Sequence, residues 1–164
     1  MHMTLVPLIL LWTLQGAMNA PQQTKPTPAA KQLSACAVVS KAEIEQAIGT
    51  TLGNGMPHGA READVCVYEN GKGNRVNIFV TRSNEKRNLN TLVVEAKKAL
   101  PQAKVQEIQG LGDKALLVED PKGPSMLSIY RGGDALVVSV YGISDRAKAD
   151  AAVEKIARKA FRRF

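Results

Sequence analysis

The sequence is short of the residues from which most catalytic and ligand sites are built. It has two histidines, one tryptophan, three tyrosines, three phenylalanines and two cysteines. His2 and Trp12 both fall in the first twenty residues, so the rest of the chain has no tryptophan and one histidine, His58. That argues against an aromatic platform and a histidine-based metal site. It also argues against nucleophilic catalysis by Ser or Cys, which needs a base held beside the nucleophile. The metal spacings CxxC and HExxH and the EF-hand loop are missing. Gly49–Gly55 and Gly71-Lys72-Gly73 are glycine-rich. Neither follows a strand and opens a helix, as a phosphate loop does. The acidic pairs Glu43/Glu45 and Glu119-Asp120 read as solvated charge rather than as a carboxylate pair at work. No catalytic residue, cofactor or metal is expected.

No apolar run reaches the roughly 20 residues that a membrane-spanning helix needs. The longest, Thr4 to Leu14, is broken only by Pro7. It fits the apolar core of a secretory signal, and Ala17-Met18-Asn19-Ala20 supplies a small-residue cleavage region. No Lys or Arg precedes the run, and cleavage after Ala17 is the other option. Residues 1–20 are therefore expected to be a signal peptide. Residues 21–34 hold three prolines and no periodicity, and read as a disordered Pro-rich linker. Residues 35–164 then form a single domain, exported to the periplasm or the cell exterior.

Cys36 and Cys66 have only each other to pair with. In an exported chain an even count points to a disulfide. Closing a loop of about 30 residues stabilises by roughly 3.6 kcal/mol on the chain-entropy view. Two other readings stand beside it. Leu33-Ser34-Ala35-Cys36 matches a lipoprotein processing site, and both cysteines could be free and buried.

Lys and Arg number 22 and Asp and Glu 15, a net charge of +7. None of these charges lies in residues 1–20. Residues 145–164 hold seven basic and three acidic side chains, which is +4 of the total. Lys148, Lys155, Lys159 and Arg162 recur at helical spacing, opposite an apolar face of Val153, Ile156, Ala160 and Phe164. This face is either solvated or a docking surface for an anionic polymer or lipid headgroup. Export and the lack of tryptophan argue against nucleic acid.

Ser40-Lys-Ala-Glu43 is a capping box, with Val39 and Ile44 placed as a hydrophobic staple and Gly49 as the stop. It predicts a helix over residues 41–48. Residues 50–63 read as loop. Val65–Tyr68 and Val76–Val80 read as a hairpin around Asn70–Gly73. Asn90 should cap a helix carrying Leu92, Val93, Ala96, Ala99 and Leu100, stopped by Pro101. Lys104–Ile108, Ala115–Val118, Met126–Tyr130 and Leu136–Tyr141 read as strands, and Ser144 should cap a last helix to about Arg162. The order α-β-β-α-β-β-β-β-α predicts an α+β fold, an antiparallel sheet of about six strands with three helices. Val67-Tyr68-x-x-Gly71 with Val76-x-Ile78-x-Val80 matches Ile129-Tyr130-x-x-Gly133 with Leu136-x-Val138-x-Val140. Either a helix-plus-hairpin unit is duplicated or turn and strand preferences coincide.

Gly110-Leu-Gly-Asp-Lys-Ala115 is the most distinctive short motif, read as a tight turn whose Asp113 bonds nearby backbone. Taken in order, Cys36, Val38, Val39, Ser40, Glu43, Ile44, Ile48, Gly49, Cys66, Tyr68 and this turn resemble small exported bacterial domains of unknown function. Those are best known among actinobacterial lipoproteins. The resemblance covers about residues 36–160 and implies a disulfide-stapled α+β module without an assigned activity. The first Cys lies far beyond the signal, so a lipid anchor is not carried over. The expected function is a non-catalytic exported module that binds a ligand or protein partner in the cell envelope. The alternatives are a cationic accessory protein using the basic helix, and an enzyme with an unfamiliar site.

Overall fold

The computed structural model describes residues 34–60, 63–82 and 88–164. The expected signal peptide, and the linker up to residue 33, lie outside them. Helix α1 (Lys41–Ile48) is followed by strands β1 (Met56–Ala60), β2 (Ala63–Glu69) and β3 (Arg75–Thr81). Helix α2 (Leu92–Ala99) leads to β4 (Lys104–Glu107), β5 (Lys114–Glu119), β6 (Ser125–Arg131) and β7 (Asp134–Tyr141). Helix α3 (Arg146–Phe161) closes the described chain. The strands form one antiparallel sheet in the order β1-β2-β3-β7-β6-β5-β4. The fold is α+β, with three helices and one sheet among the described residues.

The strand added to the expected set is β1. Its sequence, Met-Pro-His-Gly-Ala, has no β-branched residue and reads as loop. It is ordered by tertiary pairing, with Pro57 opposite Cys66 and His58 opposite Val65. A proline fits an edge strand because no second neighbour needs its missing N–H. The approach to this strand is tight: a Cβ on Gly55 would meet the Tyr68 ring and Cys66 Sγ.

Helix α1 begins and ends where its sequence says. The Glu43 amide donates to Ser40 Oγ at 3.3 Å, and the Ser40 amide donates to Glu43 Oε2 at 2.9 Å. Gly49 ends the helix at φ 74°, a left-handed conformation that glycine adopts without steric cost. Val39 and Ile44 are both fully buried, as a staple requires. The other two caps shift by one residue. Asp145, not Ser144, caps α3 by accepting from the Lys148 amide at 3.1 Å. Thr91, not Asn90, is the N-cap of α2, and it makes no side-chain cap bond. The Asn90 amide is instead taken by Asn88 Oδ1 at 3.1 Å. In α2 only Leu92 is buried; Ala99, expected on the inner face, is exposed.

The main core lies on one face of the sheet. Ile44 of α1 and Val153, Ile156, Ala157 and Ala160 of α3 pack with Ile78, Val138, Leu127 and their neighbours. Helix α3 runs over β6 and β7 and against α1, while α2 contacts the edge strand β4. Cys36 and Cys66 are bonded. This bond and the Ala35 amide on Asp64 Oδ2, at 2.7 Å, fasten the chain ahead of α1 to β2.

The two similar hairpins meet at the centre of the sheet, where β3 pairs with β7. Ile78 faces Val138, flanked by Val76–Val140 and Val80–Leu136. A two-fold exchange of β3 and β7 about that central pair carries Val76 to Leu136. Tyr68 lies opposite Val76, and Ile129 opposite Leu136. The structural counterpart of buried Tyr68 is thus Ile129, one residue before the Tyr130 that the motif aligns with it. The turns explain the offset: Glu69 and Arg75 bracket the first, Arg131 and Asp134 the shorter second.

Candidate functional site

Alternate residues of a strand point to opposite faces, so the strands that build the core also build a second face. Its cross-strand rows can be read from the register. Val67, Asn77, Ser139, Met126 and Val118 follow one another across β2, β3, β7, β6 and β5. Met56 and Val105 end the row on the two edge strands. The next row is Val65, Phe79, Val137, Ser128 and Leu116. Helices α1 and α3 belong to the core on the other side. Among the described helices only α2 remains; it contacts β4, and Leu116 and Val118 at that end of the face are buried.

The middle of this face is polar. Asn77 is 8 % exposed, Ser128 7 % and Ser139 3 %. Asn77 Oδ1 is buried and has no hydrogen-bond donor. An unsatisfied buried carbonyl costs about 1–3 kcal/mol, so such a group is retained against stability. Around it Val65, Val67, Phe79, Met126 and Val137 are half-buried, and Met56 at the edge is 43 % exposed. Sequence reasoning missed Asn77, Ser128 and Ser139. They alternate with core residues, the same pattern as the solvated side of a half-buried strand.

One cation of the basic helix is placed differently from expectation. Lys148 and Lys155 of α3 are exposed, and so is Arg162 just beyond it. Lys159 is only 28 % exposed and turns to α1. Its Nζ lies 3.3 Å from Gln46 Oε1 and 3.9 Å from Glu43. Of the four cations, then, Lys159 is held against α1, and the other three face solvent. Arg163 makes a two-pronged pair with Glu43, at 2.7 and 3.0 Å, and Lys148 sits 3.7 Å from Asp145. The Arg163 guanidinium, then the bonds from Ser40, hold the Glu43 carboxyl well below the usual carboxylate range. Burial pushes the Tyr68 phenol up.

The remaining chemical residues stand apart. His58 is exposed on β1. Glu119 pairs with Lys104 at 3.0 Å, Glu45 with Lys41 at 3.6 Å, and Asp120 accepts from the Lys122 amide at 3.0 Å. Among the described residues no three His, Cys, Asp or Glu side chains are grouped as metal ligands would be. No helix among those residues is long and apolar enough to cross a membrane. The Gly110–Ala115 segment is the expected tight turn, closed by the Ile108 amide on the Ala115 carbonyl at 2.9 Å, and it also docks at a distance. The Asp113 amide donates to the Tyr130 carbonyl at 2.7 Å, and Asp113 Oδ2 accepts from the Gly132 amide at 2.6 Å. It thereby fastens the β4–β5 connection to the β6–β7 turn. Three comparisons, with protein-family models, curated proteins and solved structures, find no match to this chain.

Proposed function

We propose that this protein is a non-catalytic exported module that binds a partner in the bacterial cell envelope through the second face of its sheet. The observation that carries the reading is the group of half-buried apolar side chains on this face, Val65, Val67, Phe79, Met126 and Val137, edged by the exposed Met56. Apolar contact of a partner with Val67, Phe79 and Val137 would supply the driving force. The disulfide is compatible with an oxidising compartment, which supports the exported part of the reading. The likeness to small exported bacterial domains is kept as part of this proposal. A photo-crosslinking residue at position 67, with a control at exposed position 151 on α3, tests it in producing cells. Adducts from position 67 alone are expected. Adducts from neither position, or equally from both, overturn the use of this face.

A further inference from the structure

A groove of about 430 Å³ lies between the end of α2 and the β5–β6 turn. That volume falls within the range of about 300–1,000 Å³ common to small-molecule sites. One wall is Ala99, Leu100, Pro101 and Ala103; the other is Pro121, with Asp120 and Lys122 at the rim. Both walls are held in shape by their own chain. The Ala103 amide closes a turn on the Leu100 carbonyl at 3.0 Å, and two prolines limit the backbone. The opposite turn is pinned from behind by Arg146, which donates to the Asp120 and Gly123 carbonyls and to Ser125 Oγ. Ser125 Oγ in turn donates to Asp150 Oδ1 at 2.6 Å. A groove formed before its ligand arrives pays little ordering entropy on binding.

Charge decides what kind of ligand fits. The rim carries one carboxylate, Asp120, which accepts from the Lys122 amide and is outnumbered by the lysines around it. The Lys122 side chain is exposed, and no ion pair holds it among the described residues. Lys97 and Lys98 add two more exposed cations in the last turn of α2. We infer that this groove binds a small amphiphile with an apolar body and a carboxylate head, the body against Pro101, Pro121 and Leu100 and the head at Lys122. This site is separate from the sheet face and stands or falls independently of it.

Calorimetric titration of the disulfide-bonded mature chain with dodecanoate, below its micelle concentration, tests the assignment. Dodecanol serves as the neutral probe, and Lys155→Glu on α3 as the charge control. Saturable binding of dodecanoate is expected, weakened about fivefold by Lys122→Glu, the worth of one exposed charge contact. Lys155→Glu should leave it unchanged. Ala99→Trp, which fills the groove from an exposed position, should abolish it. Equal affinity for dodecanol overturns the anionic head. Binding that survives both Lys122→Glu and Ala99→Trp, or no binding by the wild type, overturns the site.

Discussion

Glu43 and Arg163, 120 residues apart, meet in a two-pronged ion pair that ties the first turn of α1 to the end of α3. The same carboxylate receives the Ser40 amide and lies near Lys159. One side chain thus completes a helix cap and joins the two helices that cover the core.

The pH dependence follows from that arrangement. The Glu43 carboxyl titrates lower in the folded chain than in the unfolded one. A depressed carboxylate contributes stability above the unfolded value, about 4.3, and loses it as the pH falls toward the folded value. Urea midpoints should therefore drop on acidification below about pH 4.3, and Glu43→Gln should show a shallower drop. Parallel pH profiles for the two proteins would assign acid sensitivity to other groups.

Much of this clasp is legible in the sequence and part of it is not. Ser40, Glu43 and Gly49 specify α1 because capping is local chemistry, decided within four residues. The partners Arg163 and Lys159 lie beyond any local rule, so the basic helix reads as opposite the core when Lys159 in fact faces α1. β1 fails for the same reason: Pro57 and Gly59 disfavour a strand, and only the ladder offered by β2 orders them. Asn77 looks like an ordinary outward residue, since one strand cannot reveal what lies over its far side.

The disulfide carries a second expectation. It closes a 30-residue loop and holds the segment before α1 against β2. Changing both Cys36 and Cys66 to Ser should cost about 2–5 kcal/mol in denaturant unfolding. Thiol titration of the denatured, unreduced wild type should find no free thiol. Two reactive thiols would remove the bond.

Two glycines separate conformational from steric demands. Gly49 has φ 74° and nothing within 4 Å of a built Cβ, so Gly49→Ala should cost only the left-handed penalty, about 1–2 kcal/mol. Gly112 has φ 63°, and a Cβ there would strike the Tyr130 carbonyl oxygen, which receives the Asp113 amide. Gly112→Ala should cost more, about 3 kcal/mol or above, by adding overpacking to the same penalty. Equal midpoints for the two variants would show that the Gly110–Asp113 turn yields easily.

The basic row can be weighed before it is tested. Three of its cations, Lys148, Lys155 and Arg162, are exposed, while Lys159 is occupied by α1. Each exposed cation near an anionic membrane contributes about 1 kcal/mol, so the row supplies about 3 kcal/mol. That is weaker than the roughly 4.1 kcal/mol of a millimolar complex. Co-sedimentation with phosphatidylserine vesicles should accordingly appear only at low salt and vanish near 0.15 M, where charges are screened beyond about 8 Å. Lys155→Gln should weaken the low-salt binding and leave the denaturation midpoint unchanged. Lys159→Gln should do the reverse, sparing binding and loosening the contact between α3 and α1. Binding that persists at 0.15 M salt, or that Lys159→Gln reduces as much as Lys155→Gln, would mean that the whole row of four faces a membrane.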